Sequence, residues 1–121
     1  MDLHARQRIA IVKAKRPLLL KFARAMIEAI HFNKTNKEEA KVIWGKYLRI
    51  SDPEGLERAY QAYTSAFPEN LLPTPEGVKT LLDDLAPRDP KAAAADARAF
   101  VDASLVRELE ASGFVKQLYK K

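Results

Sequence analysis

Pro17-Leu18-Leu19-Leu20-Lys21-Phe22-Ala23-Arg24-Ala25-Met26-Ile27-Glu28-Ala29-Ile30 carries the fold class on its own. Leu19, Phe22, Ala23, Met26 and Ile30 recur at spacings of three and four, and Leu20 and Ile27 widen that stripe. Such spacing puts apolar side chains on one face of a helix with 3.6 residues per turn. Pro17 suits the first turn, where a fixed φ and a missing N–H cost nothing. The pattern predicts a heavily buried helix reaching about Lys34.

The same grammar extends in both directions. Upstream, Ile9, Ile11 and Val12 are the apolar content of a short basic segment, read as helix from about Leu3 to Lys15, although the alternation Ile9, Ile11, Lys13 also suits a strand. Downstream, Asn36 with Glu39 has the spacing of a capping box, and Glu38 and Glu39 suit the positive end of a helix dipole. Ala40, Ile43, Trp44 and Tyr47 form the next stripe. Asp52-Pro53-Glu54 announces another helix with Leu56, Ala59, Tyr60, Tyr63 and Phe67 on one face, stopped by Pro68. Thr74-Pro75-Glu76 repeats the device before Val78, Leu81, Leu82 and Leu85, and Pro87 ends that helix. One or two turns are expected between Arg88 and Arg98. Asp102 caps the last helix with Leu105, Val106 and Leu109; Gly113 then takes a left-handed backbone and Phe114 supplies the accompanying apolar contact. The expectation is one all-α domain over residues 1–121, about six helices joined by short Pro-containing loops. No constant period argues for a solenoid.

Composition narrows the chemistry. The 121 residues are 47% apolar and 31% charged, as in globular chains. Ala59 to Pro68 is the longest stretch without a charge, far short of the roughly 20 apolar residues of a bilayer span. There is no cysteine, which removes disulfides, thiolate nucleophiles and sulfur-ligated metals. The net charge of +5 comes from the two ends, with seven basic residues against Asp2 before Ala25 and Lys116, Lys120 and Lys121 in the tail. Basic ends attract phosphates or serve as solvated helix faces.

No catalytic residue, metal site or cofactor site is expected. His4 and His31 are the only histidines, and His31 reads as a packing or surface imidazole. Asp83 and Asp84 are adjacent and point to different helix faces, so they make no metal clamp. Ser51, Ser65, Ser104 and Ser112 have no base placed by sequence, and the phosphate-loop, zinc and nucleophile-elbow motifs are absent. Trp44, Tyr47, Tyr60, Tyr63 and Phe67 are the residues for a ligand cleft, but their helical spacing favours a place in the core. A groove-reading DNA helix is disfavoured, because Leu18 to Ile30 is too apolar and Arg6 to Arg16 lacks a base-reading face.

One resemblance gathers these signals. Pro17 to Ala25, Ala29-Ile30-His31-Phe32, Lys34 to Ala40, Lys46-Tyr47-Leu48, Ile50-Ser51-Asp52-Pro53 with Leu56 and Ala59-Tyr60, Pro73 to Gly77 and Phe100 to Val106 follow one another in a familiar order. Over about 110 residues this set resembles the C-terminal helical portion of periplasmic solute-binding proteins of the nitrate/sulfonate/taurine and thiamine-precursor type, which serve ABC importers. The resemblance implies ancestry in solute capture, a periplasmic setting, and an ABC permease or a second chain with the remaining lobes as partner. The family is bilobal, with an α/β lobe on each side of a cleft; its strands, hinge and most ligand loops have no counterpart here, so no ligand residue is carried over. No secretory leader pattern shows either, since the compact run Leu18 to Leu20 is closed by Lys21, so a cytoplasmic setting stands beside the periplasmic one that the resemblance implies.

Helices with apolar faces and no covering lobe need a partner. The expectation is a homo-oligomer with contacts on the N-terminal segment at Ile9, Val12, Leu19 and Phe22. Three functional readings follow: a truncated or partial solute-binding component without a complete cleft of its own, a stand-alone helical module that associates with itself, and a nucleic-acid binder using the basic ends.

Overall fold

The computed structural model describes residues 10–120. Every regular element among the described residues is helical, so the all-α expectation holds. Residues 10–14 are helical and pass through a turn at Lys15 into α1 (Arg16–Thr35). There follow α2 (Lys37–Leu48), α3 (Pro53–Ala66), α4 (Pro75–Leu85), the single turn α5 (Pro90–Ala93), a 3₁₀ turn (Ala97–Phe100), α6 (Ser104–Ala111) and α7 (Phe114–Tyr119). The short elements α5, the 3₁₀ turn and α7 lie in the Ala-rich stretch and the tail, where single turns are expected. The strand alternative around Ile11 is excluded by the helical residues 10–14; Ile9 lies outside the described residues.

The start signals act as their chemistry dictates. The Asp52 carboxylate accepts the backbone N–H groups of Glu54 and Gly55, and Thr74 Oγ1 accepts that of Gly77. Asp89, Asp96 and Asp102 accept from Lys91, Arg98 and Ser104. Asn36 departs from its capping-box expectation. Its backbone (φ −126°, ψ 62°) follows α1 with no intervening loop, and its amide turns back to donate to the Phe32 carbonyl and to Thr35 Oγ1.

The core is small. Ile27 of α1 is fully buried against Leu109 of α6 and Phe114 of α7, with Leu20, Ala23, Leu71, Val115 and Leu118 around them. Gly113, at φ +80°, makes the corner that turns Phe114 inward, as its spacing predicts. Arg24 lies over the Phe114 ring at 4.3 Å, and Arg16 reaches Glu108 at 2.5 Å and Ser104 at 3.2 Å, fastening α1 to α6 and α7. On the other side α1 packs on α2 and α3. Among the described elements α4 packs only on α5 and the 3₁₀ turn.

Burial is where the expectation fails. Only Ile27 and Ile30 of α1 are buried, while Leu18 and Phe22 are 60% and 64% exposed. In α4 no residue is buried, and Leu81 and Leu85 face water. The chain exposes 9393 Å², against about 6,600 Å² for a compact monomer of its mass. Helical spacing says which face is apolar; it does not say that something covers it.

Candidate functional site

The α2–α3 hairpin builds an apolar groove. Gly45 lets its turn close: an added Cβ there would stand 3.2 Å from the Ile50 carbonyl and 3.5 Å from Leu56. Across the hairpin, Glu57 of α3 accepts Lys37 at 2.5 Å and Lys41 at 2.9 Å, both from α2. Hydrogen bonds from Lys37, Lys41 and Gln61 hold the Glu57 carboxyl down to about 2, and the bond to Glu57 raises Lys41. The end of α1 braces the pair. Trp44 Nε1 donates to Asn33 Oδ1 at 2.8 Å, the Tyr60 hydroxyl donates to the Asn33 carbonyl, and Lys34 donates to the Thr64 carbonyl at 3.1 Å.

Next to this polar brace lies a groove of about 390 Å³ lined by Ile43, Trp44, Tyr47, Leu48, Tyr63 and Phe67. Trp44 meets Tyr63 edge-on at 5.8 Å and Tyr60 at 5.9 Å. Tyr60 is buried, but Tyr47, Tyr63 and Phe67 are exposed. The expectation that these aromatics are core therefore holds for Tyr60, holds in part for the half-buried Trp44, and is corrected for Tyr47, Tyr63 and Phe67. α2 and α3 splay their stripes outward, and no described element lies over them. Ile43 and Leu48 complete the lining. The two adjoining wide stripes were the sequence signal for it, each broader than one helix contact covers.

No family model, curated protein or solved structure matches this chain.

The groove's chemistry is restrictive. None of its lining side chains is charged, and its indole N–H is already engaged by Asn33. A nitrate- or sulfonate-like anion needs Arg, Lys or aimed N–H groups. The groove suits apolar and aromatic surface instead. A second cavity, also about 390 Å³, lies between α4, α5 and the 3₁₀ turn. Its charged lining is Glu76, Asp83 and Asp96 with Lys79 and Arg98, and the Lys79 ammonium is held by Asp83 at 2.7 Å. That balance does not favour an anion.

The remaining sequence candidates are dispersed. Val12 and Leu19 are half-buried and Phe22 is exposed; Ile9 and His4 lie outside the described residues. His31 packs edge-on against Tyr119 at 4.8 Å, and burial, with Glu69 nearby, raises the Tyr119 phenol. Asp83 pairs with Lys79 and Asp84 with Arg88, each along its own helix. Ser104 accepts from Arg16, while Ser65 and Ser112 donate to backbone carbonyls. Among the described residues no cluster of His, Asp or Glu has the geometry of a metal site, and no helix is long and apolar enough to cross a membrane.

Proposed function

We propose that this chain is a helical, non-catalytic component of a solute-binding unit related to those of ABC importers of nitrate, sulfonates and taurine. It contributes scaffold rather than a complete cleft, and docks other parts of the unit, or a permease, through the α2–α3 groove. The compartment that goes with this reading is the periplasm. The observation that carries it is the groove itself: bare, aromatic and without a charged lining, it fits a protein face and not an anionic solute. The resemblance adds that its motifs coincide with real element starts at Pro17, Asp52-Pro53 and Thr74-Pro75.

The test mixes the full chain with the recombinant α/β lobes of a nitrate/sulfonate/taurine-type solute-binding protein. The expected result is a 1:1 complex by light scattering and a Tm that rises with taurine or nitrate only in the complex. A rise for the lone chain, or a complex insensitive to Tyr47→Ser with Phe67→Ser, overturns the reading.

A second reading is favoured by a different surface. The outer face of α1 is apolar and bare at Leu18 and Phe22, which suits a helical module that associates with itself.

A further inference from the structure

α1 has two apolar faces, not one. Leu20, Ala23, Ile27 and Ile30 turn toward the fold. On the opposite side Leu18, Phe22, Ala25, Ala29 and Phe32 follow one another at spacings of four, three, four and three. That alternation is a coiled-coil seam, and Ile27 sits diametrically away from it. All five seam residues are exposed. The helices that pack on α1, namely α2, α3, α6 and α7, leave this side open. Lys21 and Glu28 line one edge of the seam, and Met26 the other.

We infer that a second copy of this chain covers the seam, the two α1 helices running antiparallel with Leu18 on the partner's Ala29 and Phe22 on the partner's Ala25. The order of side-chain sizes requires that direction. From Leu18 to Ala29 the seam reads large, large, small, small; backward it reads small, small, large, large. Antiparallel pairing sets a large side chain on a small one at each of these four layers, and Phe32 lies beyond them at the end of the seam, level with Lys15 of the second copy. Parallel pairing stacks Phe22 on its own mate and leaves a void between two alanines, and both overfilled and empty layers cost stability.

Charge selects the same direction. In the antiparallel pair Lys21 lies beside the partner's Glu28, and Glu28 beside the partner's Lys21, so two ion pairs form across one axis. In a parallel pair that edge of the seam faces Met26, and Glu28 keeps only its ion pair with Arg24 of the same helix, at 3.7 Å.

This inference deepens the self-association reading and needs nothing from the solute-capture reading. Light scattering on the full chain at about 10 μM, where a standard interface is half-formed or better, is expected to give twice the 13.6 kDa chain mass. Ala25→Asp puts a charge at the centre of the seam but on the surface of the monomer. It is expected to raise the dissociation constant by about a hundredfold, with helix content unchanged by circular dichroism. Glu28→Lys is expected to weaken the dimer by about tenfold, and Lys21→Glu with Glu28→Lys to restore it. Direction is read separately, because the chain has no cysteine of its own. Oxidising a mixture of Leu18→Cys and Ala29→Cys is expected to give the mixed disulfide dimer, and Ala29→Cys alone to give none. A monomeric wild type removes both the self-association reading and the seam. A dimer indifferent to Ala25→Asp, or a disulfide from Ala29→Cys alone, leaves self-association standing and overturns the antiparallel seam.

Discussion

Arg49 and Gly113 both hold left-handed backbone at the end of a helix, with φ of 56° and 80°. For Gly113 that conformation is free of steric cost, and a Cβ there would meet nothing within 4 Å. Gly113→Ala therefore tests the backbone alone, and urea unfolding is expected to show a loss of about 1 kcal/mol. Arg49 carries the cost already, on an exposed side chain, so Arg49→Gly is expected to gain about 0.5–1 kcal/mol. The caps separate in the same way. Asp52 accepts two orphan N–H groups and Asn36 accepts none at the start of α2, so Asp52→Ala is expected to cost about 1 kcal/mol and Asn36→Ala less than about 0.5. Asp52, Thr74 and Gly113 were legible because each role needs only the residue and its immediate neighbours. Asn36 was not, because the chain enters α2 directly from α1. Its φ and ψ are fixed by that junction and never reach the extended form a cap requires.

Elements add what single residues lack. Glu57 ties α3 to Lys37 and Lys41 of α2, and its carboxyl lies at about 2 against 4.5 unperturbed. A lowered carboxyl pKa means that the folded state holds its proton less readily than the unfolded chain. The stabilisation is complete above pH 4.5 and disappears as pH falls toward 2. At pH 7 Glu57→Gln is expected to lower Tm by about 2–5 °C, and that gap between variant and wild type should close on acidification through this window. α4 is the contrasting element. It has no buried residue and rests only on α5 and the 3₁₀ turn, so its amides are expected to exchange with solvent before those around Ile27 in α1. Equal protection of the two would mean that α4 opens only with the whole fold. The helices themselves were readable from their prolines, caps and spacing. Their packing was not. A stripe carries no mark of whether its apolar face is covered, and the stripe of α4 around Leu81 and Leu82 is indistinguishable in sequence from one that is.

At the scale of the molecule, the polar and apolar sides of the α2–α3 hairpin divide the labour. The ion pairs at Glu57 and the bonds from Trp44, Tyr60 and Lys34 to the backbone and side chains around them fix its geometry, leaving the groove lining free for contact. Trp44, Tyr47, Tyr63 and Phe67 were legible as an aromatic group but read as core, because the openness of the groove depends on the angle between two helices, which no local pattern encodes. A native groove of this kind has a spectroscopic consequence. Trp44 is the only tryptophan and lies in the lining, so an apolar naphthalene-sulfonate dye seated there accepts its excitation energy. Dye binding with energy transfer from Trp44 is expected for the folded chain, together with an intact near-ultraviolet circular dichroism signal. Loosely packed states also bind such dyes, but they lose that signal. Tyr47→Ser with Phe67→Ser is expected to weaken the dye about tenfold and to shift Tm by less than about 3 °C, because both side chains face water in the monomer. A large fall in Tm would place these rings in the stabilising core; unchanged dye binding would place the apolar site elsewhere on the surface.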